Sequence, residues 1–390
     1  MRSIVRLGLS LLTVVAPMSA CGGGGSTGVN PRLIGGTMQG ATLKLSGTVT
    51  TSAGDGSQSA TDCTVGAGAG FDFPEGITTD GAILYIADSG NHTIRKMTIA
   101  TGAVTTVAGM AYTPGATDCT IGTGARFQFP GGVTTDGTNL YVADTNNHSI
   151  RKIVLSTGAV TTIAGDGNVQ GYADGVGTAA HFNFPHGITT DGTNLYVADG
   201  DNHLIRKIDL STGVVSTFAG DNVTDPPAPN YSDGTGTAAR FAYPSAVTTD
   251  GTNLFVTDTD NHLIRKIVIA TGAVSTIAGD NASIHWSGAA GPPGGYADGV
   301  GSAARFSSPS GIATDGTNLF VSETGNHLVR KVVIATGAVS TVAGDNVTLA
   351  PDFADGTGTA AHFAYPIGIV SDGTNLFVSD RNNNRIRKIR

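Results

Sequence analysis

Six prolines punctuate the chain at near-regular intervals: Pro74, Pro130, Pro185, Pro244, Pro309 and Pro366. The residue after each one varies: Glu75, Gly131, His186, Ser245, Ser310 and Ile367. The neighbouring residues are close to constant, so this single column is where side chains can answer to something other than the fold. A carboxylate, an imidazole and two hydroxyls can hydrogen-bond a ligand, and the first two can also move a proton. A catalytic zinc takes three protein ligands and keeps an open position, and Glu75 and His186 supply two. Glu75, His186, Ser245 and Ser310 are therefore expected to form a ligand-binding set. A metal-assisted lyase or hydrolase working through Glu75 and His186 is the alternative.

Other groups with chemical potential recur in step. Asn-His pairs carry His92, His148, His203, His262 and His327, with Asn384 in the sixth copy. Arg-Lys pairs follow, the arginines being Arg95, Arg151, Arg206, Arg265, Arg330 and Arg387, with Asp88, Asp144, Asp199, Asp258, Glu323 and Asp380 upstream as partners. Asp62, Asp118, Asp174, Asp233, Asp298 and Asp355 sit beside or near glycines in connecting segments, where Asp normally forms a bend. Calcium requires six to eight oxygens, and no EF-hand order is present. No cofactor is expected, calcium or zinc being at most adventitious. The longest connection holds the one tryptophan, Trp286, next to His285, a second candidate contact for a partner.

These side chains need a frame, and composition says which kind. Among 390 residues only 13% are charged, 57 are glycine and 39% are hydrophobic. Scarce Glu and Lys with abundant Thr, Val and Ile exclude a helical bundle. The absence of a G-X-Y period excludes collagen, and the hydrophobic content excludes a disordered tail. The prolines anchor six units spaced 55 to 65 residues apart, a period that signals a repeat architecture. In the third unit four strands are expected at Gly187–Thr190, Leu195–Ala198, Leu204–Asp209 and Val214–Ala219, joined by Asp-Gly-Thr-Asn and Ser-Thr-Gly turns. Four antiparallel strands per unit, repeated about an axis, make an all-β, six-bladed propeller. The sixth unit stops in its third strand, while residues 47–54 near the start read like a fourth strand. That segment is expected to complete the last blade and close the ring. Residues 47–390 then form the propeller, and residues 21–46 a linker and lead-in.

Chain direction assigns the faces of such a ring. Loops between second and third strands share one end with the blade-to-blade connections, and the short uniform turns lie at the other. The connections vary in length and content, so binding is expected at their end. With strands ~4.8 Å apart, the histidine loops lie roughly 12–15 Å from the axis. Histidines so far apart cannot share a zinc ion with bonds of ~2 Å. They are expected to link blades, and the Arg-Lys pairs to tie strands together as a charge ladder. Only the column after the prolines starts the innermost strand.

The blocks LYVADGDNHLIRKI, LYVADTNNHSIRKI and LFVTDTDNHLIRKI, with a proline and Gly-Ile, Gly-Val or Ala-Val upstream and Ala-Gly downstream, resemble NHL repeats. The resemblance covers residues 47–390 and implies a propeller acting as an interaction module. In peptidyl-hydroxyglycine lyases, which resemble NHL propellers, histidines at comparable axial positions hold zinc. Only His186 matches here. Gluconolactonase-like propellers gather several axial acids around a metal, and this chain lacks them.

The first residues read as an address. Arg2 and Arg6 precede an apolar stretch, Leu7 to Met18, too short to span a bilayer. Met18-Ser19-Ala20-Cys21 followed by four glycines resembles the lipobox of bacterial lipoproteins. This resemblance implies a signal peptide over residues 1–20, lipidation at Cys21, and attachment by lipid alone to the cell envelope, at the outer membrane. Export would remove two arginines and leave 20 basic against 30 acidic side chains. That balance argues against nucleic acid as a partner. An envelope protein, glycan or small ligand is expected instead, bound by a monomer. In that oxidising setting Cys63 and Cys119, at equivalent positions of consecutive connections, are a candidate disulfide.

Overall fold

Short β-branched runs separated by Asp-Gly and Thr-Gly turns leave the chain one local option, the tight hairpin. The computed structural model describes residues 32–34, 36–40, 42–167, 169–222, 231–280, 295–346 and 353–390. In the third blade the strands run outward as Pro185–Thr190, Asn194–Asp199, Leu204–Asp209 and Val214–Ala219, all antiparallel. Its first turn is built by side chains. Asp191 Oδ1 accepts the N–H groups of Thr193 and Asn194, Thr190 Oγ1 accepts that of Gly192, and Gly192 takes φ +89°. A side chain at that φ would be strained, which is why the turn carries glycine.

Six such sheets form a closed ring. The inner strand of each blade neighbours the inner strand of the next, and that of the sixth, Pro366–Ser371, neighbours that of the first, Pro74–Thr79. Thr48–Ala53 pairs antiparallel with Arg385–Ile389, setting Val49 opposite Ile389 and Thr51 opposite Arg387. The beginning of the chain therefore completes the last blade, as expected. The hydrophobic core is divided among blade interfaces. In the seam that closes the ring, Ala53, Phe377 and Ile386 pack on Ile77, Leu84 and Ile86. Both faces of each sheet are buried this way, which explains strands without a clean polar–apolar alternation.

Blades one and two have the expected four strands, and blades three to six have a fifth. Gly175–Val176, Gly234–Thr235, Gly299–Val300 and Gly356–Thr357 each add a two-residue strand at the outer edge of blades three to six. Cys63 and Cys119 form the matching outer bridges to Val104 and Val160 in blades one and two. Glycine carries no strand signal, so these edges were not legible. The same geometry corrects the candidate disulfide. Each cysteine is held by paired backbone hydrogen bonds to the outermost strand of its own blade, and both are free thiols.

Each blade is locked by its arginine. Arg206 is fully buried and donates through Nη1 to Asp199 (2.9 Å) and the His181 carbonyl, and through Nη2 to Asp174 (2.8 Å) and the Ala173 carbonyl. Its guanidinium lies 5.2 Å from the Tyr172 ring centre and 5.1 Å from that of Phe182. The other five arginines repeat the pattern of two acids and two carbonyls. The charge ladder is therefore an arginine ladder, and the paired lysines stay at least partly exposed. Its second acids are the connection aspartates Asp62 to Asp355, read from sequence as bend formers.

Candidate ligand-binding site at the ring axis

The histidine column shows how blades are joined at the connection end. His92, His148, His203, His262 and His327 adopt positive φ, and each Nδ1 accepts the backbone N–H of the residue before the next blade's proline, at 3.0–3.2 Å. Those pre-proline residues, Phe129, Phe184, Tyr243, Ser308 and Tyr365, are themselves left-handed, which aims their N–H across the interface. Asn384 Oδ1 accepts from Phe73 at 3.0 Å and closes the ring of bonds. Asparagine tolerates the left-handed region as histidine does, so one amide replaces one imidazole. Burial holds all five histidine pKa values below the ordinary 6.5.

A second latch lies nearer the axis. Ser89, Thr145, Thr259 and Thr324 each donate a hydroxyl proton to the carbonyl of the next anchoring proline. Two blades break this column, with Gly200 in the third and Arg381 in the sixth. Both breaks lie beside axial residues. A Cβ at Gly200 would crowd the Phe184 carbonyl at 3.1 Å and touch the Tyr243 ring at 3.4 Å and His186 at 3.5 Å. Arg381 instead turns inward, its Nε donating to Glu75 Oε1 at 3.0 Å.

The structure brings Glu75, His186, Ser245 and Ser310 together around one cavity of about 320 Å³ on the axis. A collar of Ile77, Val133, Ile188, Val247, Ile312 and Ile369 lies beneath them. Ser245 is bonded to Thr259, and Ser310 to Thr324. His186 Nε2 and the Tyr243 hydroxyl are 2.8 Å apart. Burial lowers the His186 pKa to about 4, so its ring is neutral near pH 7. Burial raises that of Glu75, with the Arg381 charge pulling against it. Burial first, then the charges of Asp201, Asp260 and Glu75, raises that of Tyr243.

The turn end of the axis is occupied. Arg32–Ile34 pairs with Thr37–Gln39 in a hairpin within the stretch expected to be only linker and lead-in. The Gly36 carbonyl accepts from Thr78 and Thr79, Thr37 bonds Ser371, Gln39 donates to the Thr249 carbonyl, and Gly40 reaches the Asp315 carbonyl. Gly36 also lies against Thr134. A segment touching five of six blades must cross the axis, so the hairpin plugs it and the cavity opens toward the connections.

Sequence reasoning missed Tyr243, Arg381, the collar and the plug. Arg381 was visible as the one charged residue in a Ser/Thr/Gly column. Tyr243 looked like one more aromatic before a proline, and nothing local places its hydroxyl beside His186. Trp286, His285 and Cys21 lie outside the described residues. Among those residues, no three His, Cys, Asp or Glu side chains group so as to hold a metal ion.

The fold and cavity define a closed propeller with a plugged axial pocket. Residues 127–153 and 182–208 match the NHL repeat model. NHL repeat-containing protein 2 of Bos taurus is 39% identical over 164 residues, 38% of this chain and 22% of its own length. Its Gallus gallus counterpart is 29% identical over 350 residues, 81% of this chain and 46% of its own. The chain thus spans less than half of either relative. An auxiliary nutrient binding protein from Bacteroides thetaiotaomicron has the same fold, with TM-score 0.64 at 16% identity over 90% of this chain and 77% of that one. The chain is a six-bladed propeller that carries NHL repeats in those two stretches and is similar to NHL repeat-containing proteins.

Proposed function

We propose that this protein is a non-catalytic binding module that holds a small ligand in its axial cavity and presents its connection loops around the mouth. The observation that carries this reading is a pocket with one open end, an apolar collar and a few convergent polar groups. Small-molecule sites are built in this manner. The fold it shares with a nutrient binding protein is compatible with the reading and carries no more than the fold. Export, lipidation at Cys21 and placement in a bacterial envelope belong to the same proposal and rest on residues 1–25. An envelope protein or glycan docking on the loops would use the same end of the ring.

Soaking crystals of residues 29–390 with small-molecule mixtures, alongside metal analysis, tests the proposal. A ligand retained unchanged at the axis is the expected result. Turnover of the soaked compound, abolished by the double variant Glu75→Ala/His186→Ala, would replace it with the lyase or hydrolase reading.

A further inference from the structure

The axial cavity is lined by one guanidinium, that of Arg381, and its hydrogen bonding is incomplete. Its Nε donates to Glu75 Oε1 at 3.0 Å and its Nη1 to Asn382 Oδ1 at 3.1 Å, and the Phe73 ring centre lies 4.4 Å from its Cζ. A guanidinium has five N–H groups to give. Among the described residues nothing accepts from Nη2, and Glu75 is the one acid that pairs with it. Asp72 feels the same charge without forming an ion pair. The ladder arginines show what a guanidinium takes in this protein. Arg206 bridges two carboxylates, the fully buried Asp199 and the half-exposed Asp174, and the other five ladder arginines do likewise. Arg381 has the first acid, in Glu75, and lacks the second.

We infer that Arg381 takes the carboxylate of a small ligand with an apolar body, the ligand supplying the second acid that the ladder arginines find in the chain. The inference rests on the axial cavity being a binding site. A planar guanidinium suits a carboxylate better than any other common anion-binding side chain does. One cation between two acids is an arrangement this protein already builds six times, so the acid of Glu75 does not forbid another. A phosphate would bring up to twice the charge beside that buried acid. An amine would find no free partner, since Glu75 is the one acidic residue of the wall and Arg381 engages it. Asp201 and Asp260, which act on Tyr243, belong to blades three and four. In a six-bladed ring these lie across the axis from the seam of blades six and one, where Arg381 meets Glu75. Their charge therefore favours the carboxylate on the Arg381 side. The collar receives the apolar body.

The test titrates isotope-labelled protein with phenylacetate, its neutral amide phenylacetamide, benzylphosphonate and phenethylamine. Binding is read by calorimetry and by the backbone amide signals of Gly76, Gly187 and Ile188, which line the cavity. Phenylacetate is expected to bind saturably, to move those signals, and to bind about tenfold or more tighter than phenylacetamide, equivalent to about 1.4 kcal/mol. Arg381→Thr installs the residue that Thr145, Thr259 and Thr324 supply in sister blades, so the fold should persist while the preference for the acid disappears. Glu75→Gln keeps an acceptor for Nε and removes the competing charge, so phenylacetate should bind more tightly to it. If the amide, the amine or the phosphonate binds as well as phenylacetate, or if Arg381→Thr keeps the preference, the axis binds ligands and the carboxylate assignment is wrong. Weaker binding of phenylacetate to Glu75→Gln would equally rule out a guanidinium shared by two acids. If no probe moves any axial signal, the assignment and the axial binding site both fall.

Discussion

The arginine column and the axial column both run six times around the ring, and they behave in opposite ways. Every arginine is identical, fully buried and supplied with two acids and two carbonyls from its own blade and connection. The axial positions hold five residue types in six blades, and Glu75, His186, Ser245 and Ser310 line the cavity. Where all copies agree, the side chain answers to the blade. Where they diverge, it answers to a position on the axis that only one blade can supply. Stability should therefore concentrate in the first column and ligand selectivity in the second.

The heaviest blow to the frame is removal of its closure. Excising residues 47–54 bares the outer edge of the last blade and empties part of the seam around Ala53, and cooperative thermal melting should be lost. An unaltered melt would break the ring argument. Arg206→Met comes next. It leaves Asp199 and Asp174 without their cation, and a buried pair stripped of one partner costs about 3–5 kcal/mol. Calorimetry should show that loss, with comparable losses for Arg265→Met and Arg330→Met. A change under about 1 kcal/mol would mean the ladder is ornamental.

Smaller effects sharpen the contrast at the blade joints. His262→Ala removes the acceptor for the Ser308 N–H and should cost about 1 kcal/mol, whereas His262→Asn copies Asn384 and should cost less. The pH response has a fixed sign. Each histidine has a folded pKa below its unfolded 6.5, so its contribution is complete above pH 6.5 and shrinks as pH falls toward the folded value. The stability difference between the protein and a five-fold His→Asn variant should decline below pH 6.5, a comparison in which the buried carboxylates cancel. Smallest of all, Glu75→Gln and Ser245→Ala should shift stability by about 1 kcal/mol or less, since these side chains serve the cavity rather than the blade. A large loss in either would move the axial column into the scaffold.

Much of this was legible in the text of the repeats. Asp-Gly and Thr-Gly turns have local causes, so strands and hairpins could be placed from neighbouring residues alone. Residues 47–54 could be matched to an outer strand because the chain contains other copies of it. Glu75 and His186 stood out because their column varies. Asp174 was misread because its partner Arg206 is 32 residues away, and nothing at a bend announces a distant guanidinium. Cys63 and Cys119 invited pairing because equivalent positions look close in an alignment. In a ring they are kept apart, one on the rim of each blade.

The sequence by itself determined the blade, its six-fold repetition and the circular closure, because these follow from periodic patterns whose causes lie within one unit. Only the tertiary structure decided that the hairpin of Arg32–Ile34 and Thr37–Gln39 seals one end of the axis, and that Tyr243 and Arg381 join Glu75 and His186 around one cavity. Both depend on curvature that brings separate blades to a common centre, a distance no repeat encodes.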